Sequence, residues 1–555
     1  MKSLFDRAPA LPLLVGLLGA CSDDVVSPSP TDASTPTDAP AVDVPATDSP
    51  SVDTPTPTDT PVTPDRPATD GGVTGSASVL SFGNDPQRTG AYRNETRLTP
   101  AALRAGGFGV DAAFAPSFDN ALYGQPLYVS GLTVMGARHD VLFAATQGNT
   151  VYAVDALTGA ELWRTSLGPT VARSSLLCGN IPTIGVTSTP VIDAATRTLY
   201  AVSFTNDGGL TFKINALDIT TGAQRAGYPA AINAMANGSP IDPRVTGQRG
   251  AIGFRDGKVY VPFGGLYGDC GIYHGWVVGI DAMNPTSQTA FATPGRGSGI
   301  WAPAGFAMDG MGRIFAATGN STPLGSSTPG SLGEYVLRIG TGAAGPTFVA
   351  DSPADAFSPS DARTLDLQDL DIGSVAPVLL PGSTPRLVQG GKAGTVYLLD
   401  PQNLGGSTAV SSARVCSGGV FGAMAAWSNG TDTYAFVPAR GTRAGCSGSN
   451  GVVALRLAAD GSSFTTAWCS GSVSASNPPA VSSNGNADAI LWVTGASTGL
   501  GSSPVLRAYE VSTGMELYAN TEPPPGGVRQ WVPPVVADGR VYVTGANTIS
   551  MYRLR

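Results

Sequence analysis

Alternating apolar and polar residues recur along most of the chain. The clearest copy is DVLFAATQGNTVYAVDALTGAELWRTSLG, in which two runs of β-branched and aromatic residues flank a tight QGN turn. An Asp and a Thr-Gly turn follow, and a third run carries Trp163. A period of two is typical of strands with one buried face. The pattern therefore predicts a meander of three antiparallel strands.

A short apolar stretch precedes each copy and would form a fourth, innermost strand. These stretches are QPLYV, STPVID, GAIGF, PAGFAMD, APVLL, AMAAWS, PPAVS and PPVVAD. Eight such units predict an all-β, eight-bladed β-propeller with four-stranded antiparallel blades, or seven blades if one weak copy is only a hairpin. We expect the ring to be closed by an N-terminal strand, SVLSFG near Ser78, that completes the last blade.

The first residues have the pattern of an export signal. Lys2 and Arg7 precede an apolar run that is too short to span a bilayer, and Leu18-Gly19-Ala20-Cys21 resembles a bacterial lipobox. Residues 1–20 are therefore predicted to be a lipoprotein signal peptide, with Cys21 as the lipid attachment site. The alternative is an ordinary signal peptide with a chance cysteine at its end. Ser22 favours the outer membrane, on its periplasmic or surface face.

Residues 21–75 differ in composition from the rest of the chain. They are almost wholly Pro, Thr, Ser, Ala, Val and Asp, which predicts a disordered tether because so little apolar surface can be buried. Ten aspartates against one arginine give this stretch the same net charge, −9, as the whole chain. The propeller, predicted over 76–555, is thus nearly neutral. A nearly neutral domain gives no support for nucleic-acid binding or for electrostatic binding to an anionic membrane.

Five cysteines remain for the propeller. Connections from an outermost strand to the next innermost strand, and from a second to a third strand, share one face of a propeller, here called the ligand face. All five cysteines map to it. We predict a disulfide between Cys178 and Cys270 in adjacent blades. Among Cys416, Cys446 and Cys469 any pair could bridge; Cys416 with Cys446 is favoured, which leaves Cys469 as the free thiol.

The repeat also resembles a known family. VYAVDALTGAELW is similar to the PQQ-type propeller repeat of quinoprotein alcohol dehydrogenases and their noncatalytic relatives. Longer stretches, such as CGNIPTIGVTSTPVID, YGDCGIYHGWVVGID and DLDIGSVAPVLLP, resemble a bacterial lipoprotein branch of that family. The resemblance implies a propeller in which the Asp, the Thr-Gly turn and the Trp dock neighbouring blades.

Several polar and aromatic residues map to the ligand face near the axis. The candidates for a ligand pocket are Gln125, Gln248, Arg249, Tyr273, His274, Trp301, Asp369, Asp371, Lys392, Gln530 and Trp531. Trp301 with Asp369 and Asp371 could hold a planar ligand or a cation. The same residue types also fix turns and blade junctions, which is the simpler interpretation of each.

The two histidines, His139 and His274, are only a weak indication of a metal site. They lie in distant blades without a carboxylate at ligand spacing, so we predict packing or hydrogen-bonding roles and assign no metal site. A nucleophilic pair of Cys270 with His274 lacks a third partner, and a disulfide at Cys270 accounts for this residue better. No catalytic residue is assigned.

Two functions follow from these features. The favoured one is a noncatalytic binding or scaffolding lipoprotein of the cell envelope, held at the membrane by its lipid, with an envelope protein, a glycan or a small molecule as partner. The alternative is a PQQ- or metal-dependent oxidoreductase acting on alcohols or sugars. The resemblance implies that such an enzyme has a vicinal cysteine pair and a calcium site of Glu, Asn and Asp. The chain has no Cys-Cys pair, and we could not place a calcium glutamate.

Overall fold

The alternating runs form the strands of a closed ring of eight antiparallel, four-stranded blades. The computed structural model describes residues 77–473, 477–495, 505–520, 524 and 526–555. The eight-bladed prediction is confirmed. The predicted signal peptide 1–20 and tether 21–75 lie outside the described residues. None of the helices within the described ranges is long and apolar enough to cross a membrane.

The first four blades follow one another directly along the chain. Their strands, from the innermost to the outermost, are Leu127–Val134, Ala137–Ala145, Thr150–Asp155 and Glu161–Ser166 in blade 1; Val191–Asp193, Thr198–Asn206, Leu210–Asp218 and Ala230–Ala231 in blade 2; Gly253–Arg255, Lys258–Gly265, Trp276–Asp281 and Gln288–Ala292 in blade 3; and Phe306–Met308, Ile314–Ala317, Val336–Ile339 and Ala356–Phe357 in blade 4.

The last four blades complete the ring. Their strands, in the same order, are Val378–Leu380, Arg386–Gln389, Thr395–Leu399 and Ser411–Arg414 in blade 5; Ala425–Ser428, Thr433–Thr442, Ser449–Leu457 and Phe464–Cys469 in blade 6; Ala480–Asn484, Ala487–Gly495, Val505–Glu510 and Glu516–Ala519 in blade 7; and Val535–Ala537, Arg540–Thr544, Ile549–Leu554 and Phe108–Val110 in blade 8.

Few other elements are present in the described ranges. The α-helices are Pro100–Arg104 and Ala362–Leu367, the 3₁₀ turns are Arg173–Ser175 and Ile372–Ser374, and the additional short strands are Ala91–Tyr92, Val171–Ala172, Thr183–Ile184, Met235–Ala236, Ser239–Pro240 and Thr246–Gly247.

In blade 1 the repeated Asp fixes a turn and the repeated Trp contacts the next blade. In blade 1 the Asp155 carboxylate accepts hydrogen bonds from the backbone N–H groups of Leu157 and Thr158, which fixes the turn. Trp163 then donates from Nε1 to the Ile219 carbonyl of blade 2 at 3.1 Å. A Cβ on Gly222 would lie only 2.6 Å from Cε3 of the Trp163 ring, so this turn requires glycine. The docking role implied by the repeat is thus seen between neighbouring blades.

An N-terminal segment, residues 79–95, runs around the inside of the ring and hydrogen-bonds to every blade. Its partners, from blade 1 to blade 8, are Tyr128, Ile192, Ile252, Phe306, Leu379, Ala426, Val481 and Gly539. Phe82 of this segment is 3 % exposed and packs among the alanines Ala251, Ala302, Ala304, Ala376 and Ala423, which come from four blades. Small residues near the axis therefore leave room for one aromatic ring that fills the channel.

The ring is closed by an N-terminal strand, but not by the predicted one. Phe108–Val110 pairs with Ile549–Leu554 as the outermost strand of blade 8. The SVLSFG stretch near Ser78 instead contacts blade 1, where Val79 forms a bridge with Tyr128 of the innermost strand. The assignment of the closing strand to SVLSFG was wrong because that stretch is needed on the channel side of the ring.

Candidate functional site

The ligand face contains a cavity of about 540 Å³ at the axis. This volume falls in the range of small-molecule sites. Its walls come from the connections and strand ends of blades 2 to 6 and of blade 8. The lining side chains used below are Ile184, Val202, Phe204, Phe212, Gln248, Arg249, Leu266, Tyr267, Asp269, Tyr273, Trp301, Asn320, Asp369, Asp371, Lys392, Phe421 and Trp531.

The structure brings together eight of the eleven candidates. Gln248, Arg249, Tyr273, Trp301, Asp369, Asp371, Lys392 and Trp531 all line the cavity.

The remaining candidates, Gln125, His274 and Gln530, do not line this cavity. Gln125 is buried and accepts a hydrogen bond from Gly83 N–H, so it holds the N-terminal segment. The Nδ1 atom of His274 lies 2.8 Å from the Gly295 carbonyl oxygen. His139 lies in the second strand of blade 1, and its Nδ1 is 2.7 Å from an Asp155 carboxylate oxygen.

A charged group stands at the centre of the cavity wall. The Lys392 ammonium lies 2.6 Å from Asp369 Oδ1 and 3.3 Å from Asp371 Oδ1. Trp301 donates from Nε1 to Asp371 Oδ2 at 3.2 Å, and Lys392 Nζ lies 5.6 Å from the centre of the Trp301 ring. One lysine and one indole thus hold both aspartates in place. These contacts join the connection between blades 3 and 4, the connection between blades 4 and 5, and the turn of blade 5 that carries Lys392.

Burial controls the ionisation of this group. Asp371 is 1 % exposed, and loss of water raises its pKa to about 6, although the nearby Lys392 opposes the rise. Burial alone would lower the pKa of Lys392, but Asp371 and Asp369 outweigh it and the pKa is raised. Lys392 therefore stays charged at neutral pH and favours the ionised form of Asp371.

A second buried carboxyl group lies behind the cavity wall. Glu334 is fully buried, and its Oε2 accepts a hydrogen bond from Ile372 N–H at 2.9 Å. Its Oε1 has no hydrogen-bond partner. Burial, and then the charge of Asp371, raise the pKa of Glu334 to about 9. No sequence pattern indicates this environment, because Glu334 lies in the long loop between the second and third strands of blade 4.

Glycines make room for the site. A Cβ on Gly265 would stand 2.5 Å from Tyr273 Cζ, and one on Gly319 would stand 2.7 Å from Asp371 Oδ2 and 2.8 Å from Trp301 Nε1. Neither position can carry a larger residue without moving the rings and the carboxylate that line the cavity.

Arg249 is the other charged residue on the axial side of the cavity. Its guanidinium lies over the Trp531 ring at 4.2 Å from the centre, a cation–π contact. Burial lowers its pKa to about 10, so it remains protonated at neutral pH. Among the described residues it has no hydrogen bond or ion pair through its side chain.

The disulfides confirm one prediction and correct another. Cys178 is bonded to Cys270, as predicted, and ties the connection between blades 1 and 2 to the long loop of blade 3. The predicted Cys416–Cys446 pair is wrong, because Cys446 is bonded to Cys469 and Cys416 is the buried free thiol. Cys446 lies just before a third strand that pairs directly with the outermost strand ending at Cys469.

The residues present do not fit the calcium site of Glu, Asn and Asp that the family resemblance implies. Asn320 and Asp371 line the cavity, but the ammonium of Lys392 occupies the space beside Asp371, and Glu334 is turned toward a backbone N–H. Within the described ranges no three His, Cys, Asp or Glu side chains are grouped so that they could hold a metal ion. We therefore derive no reaction step through a metal or PQQ.

Part of the cavity wall consists of residues that are not among the sequence-based candidates. Phe204 and Phe212 stack with ring centres 4.2 Å apart and line the cavity, as do Leu266, Asn320 and Phe421. Asn320 and Phe421 lie in ligand-face connections and could have been found by the same sorting. The two phenylalanines lie in strands, where an apolar residue has the pattern of ordinary core.

Comparisons with known proteins find the same fold in solved structures. Residues 116–263 match the PQQ_2 family model, described as outer membrane protein assembly factor BamB. A quinohemoprotein alcohol dehydrogenase from Comamonas testosteroni is 15 % identical to this chain, with a TM-score of 0.59. The match covers 87 % of this chain and 81 % of the dehydrogenase. A europium-containing methanol dehydrogenase is 14 % identical, with a TM-score of 0.57, and the match covers 86 % of this chain and 98 % of the dehydrogenase. No curated protein matches the chain.

The chain therefore shares the propeller fold of these two dehydrogenases. The PQQ-type repeat that the sequence predicted is matched by the family model over residues 116–263.

Proposed function

We propose that the protein is a noncatalytic binding protein of the cell envelope that holds its ligand in the cavity of the ligand face. The observation that carries the proposal is the Lys392 ammonium, which stands 2.6 Å from Asp369 and 3.3 Å from Asp371. In this position it contacts both carboxylates, which would otherwise be available as a base or as metal ligands. What is left is a shaped, mostly apolar cavity, which is suited to binding.

Other potential nucleophiles and bases are also engaged. Cys270 is in a disulfide, Cys416 is buried, and His274 is held by a backbone carbonyl outside the cavity lining. These arrangements support binding rather than acyl or group transfer.

The envelope location and the lipid anchor at Cys21 are part of the same proposal. They are supported by the lipobox-like sequence and by the description of the matching family as an outer membrane assembly factor. Replacing Cys21 with Ala is expected to abolish lipid labelling and to move the protein from the membrane pellet to the soluble fraction. Unchanged fractionation would contradict the anchor.

Binding at the ligand face is tested by photo-crosslinking in membranes. A photoreactive residue is placed at Tyr267, which lines the cavity and is 74 % exposed, or at Met283, which is 90 % exposed in a turn of the opposite face. We expect a discrete adduct with an envelope protein, a glycan or a small molecule from Tyr267 and none from Met283. Equal adducts from both positions, or none, would refute ligand-face binding.

The second candidate is a quinoprotein-type oxidoreductase acting on alcohols or sugars. The observation in its favour is the indole of Trp301 beside Asp371 at the axis, in a fold shared with two dehydrogenases. Absorbance and dye-reduction assays after addition of PQQ and Ca²⁺ separate the two functions. Tight PQQ binding with turnover would establish the oxidoreductase, and the absence of both would eliminate it.

A further inference from the structure

The cavity on the ligand face has two chemically different parts. Its axial part, the polar funnel, contains Arg249, Trp301, Asp371 and Lys392. Its other part, the apolar lobe, extends into the top of the packed interface between blades 2 and 3. The apolar lobe is lined by Ile184, Val202, Phe204, Phe212 and Leu266.

Exposed apolar residues lie close in the chain to residues that line the cavity. Tyr267 lines the cavity and is 74 % exposed. Leu177 and Ile272 flank the Cys178–Cys270 disulfide and are 61 % and 66 % exposed. Exposed apolar residues grouped beside a cavity are typical of a site that takes an apolar ligand.

One positive charge of the polar funnel, that of Arg249, is open to a negatively charged head group. Lys392 lies between Asp369 and Asp371, so these three charges are already engaged with one another. Asp269 accepts a hydrogen bond from the Tyr273 hydroxyl. Arg249 is the charged residue of the funnel whose side chain has no hydrogen bond or ion pair among the described residues. A guanidinium in this state is suited to an anionic oxygen pair.

We propose that the cavity binds a single-chain amphiphile, with its apolar tail in the lobe of Phe204, Phe212 and Leu266 and its carboxylate on Arg249. This inference rests on the proposed binding function and names the ligand class for that site. Because each buried methylene stabilises the complex, affinity is expected to rise about fourfold per added methylene until the apolar lobe is filled.

Photoaffinity labelling of the full chain in membranes tests the proposal. A decanoate analogue with a diazirine on its tail is expected to label peptides of the apolar lobe, such as 198–212. Decanoate is expected to compete at least tenfold better than 1-decanol or decyltrimethylammonium, and better than hexanoate. Stronger competition by the cation, or by dihexanoyl phosphatidylglycerol, would overturn the anionic single-chain class.

A matched pair of variants tests the role of Arg249. Arg249→Gln is expected to weaken competition by decanoate at least tenfold and to leave that by 1-decanol unchanged. Arg244→Gln changes an exposed arginine of the same connection, paired with Asp242 at 2.8 Å, and is expected to change neither. Loss of competition by both probes in Arg249→Gln, or equal loss in both variants, would overturn the role of Arg249.

The outcome also separates this inference from the function on which it rests. If no label enters the apolar lobe while the crosslinker at Tyr267 still captures a partner, the amphiphile proposal fails and the binding function stands. If neither reagent gives a ligand-face adduct, both fail.

Discussion

Replacing Glu334 with Gln is predicted to stabilise the propeller by an amount that grows with pH. Glu334 is fully buried, and one of its oxygens accepts a hydrogen bond from Ile372 N–H. Burial, together with the charge of Asp371, raises its pKa to about 9, so the folded protein keeps this proton at neutral pH. Glutamine has the same shape, retains the acceptor for Ile372 N–H, and has no proton to lose.

The magnitude follows from the difference between the folded and unfolded pKa values. Below the ordinary glutamate pKa of 4.5 both states hold the proton, and its contribution to stability is fully present. Between that value and about 9 only the folded state holds it, so the free energy of unfolding falls by about 1.4 kcal/mol per pH unit. At pH 7 the accumulated loss is about 3 kcal/mol. With about 2.1 cal/mol/K of unfolding entropy per residue, this corresponds to about 3 °C in Tm for a domain of this size.

Thermal unfolding at matched scan rates from pH 5 to pH 8 measures this effect. The Tm difference between Glu334→Gln and the unmodified protein is expected to rise by about 1.4 °C per pH unit. Glu161→Gln is the control, because its side chain is 45 % exposed in blade 1, and its Tm difference is expected to stay within about 0.5 °C. A Glu334→Gln difference that is constant with pH would mean that Glu334 is ionised in the fold and would refute the reasoning.

Three further predictions concern other parts of the molecule. Lys392→Met leaves Asp371 buried without its cation. Denaturant titrations are expected to show a loss of about 3–5 kcal/mol of unfolding free energy at pH 8 and a smaller loss at pH 5. Equal losses at the two pH values would contradict this prediction. Phe82→Ala empties the alanine-lined channel and is expected to cost about 3–5 kcal/mol, and a loss below about 1 kcal/mol would show that the ring does not support the channel. Digestion without reductant is expected to give a linked peptide pair containing Cys446 and Cys469, whereas an alkylated Cys446 would rule out this bond.

The blade count and the ligand face could be predicted because they depend on local patterns. Alternation marks each strand, and the order of strands in a blade decides on which face every connection lies. Trp301, Asp371 and Lys392 were placed together in this way, although they come from two different blades. The pattern gives the face but not the radial position, and for this reason Gln125 and His274, which map to the same face, do not line the cavity.

Other features depend on information that alternation does not contain. Phe108–Val110 is three residues long and acquires its strand geometry only from pairing with the C-terminal strand. The pairing of Cys446 with Cys469 follows from strand register, which spacing along the chain does not specify. Phe204 has the same periodicity as a core residue, and only the packed structure reveals the space in front of it.

The route of residues 79–110 around the ring links the earliest part of the domain to the latest. Glu95 accepts a hydrogen bond from Gly539, and Phe108 pairs with Leu554. As the chain emerges from the ribosome, blades 1 to 7 can form before the residues that complete blade 8 are available. The final hydrogen bonds must therefore wait for the last strand, and a polypeptide that stops before Ile549 would leave Phe108–Val110 without a partner strand. Synthesis of the strand Ile549–Leu554 is therefore a condition for a closed domain.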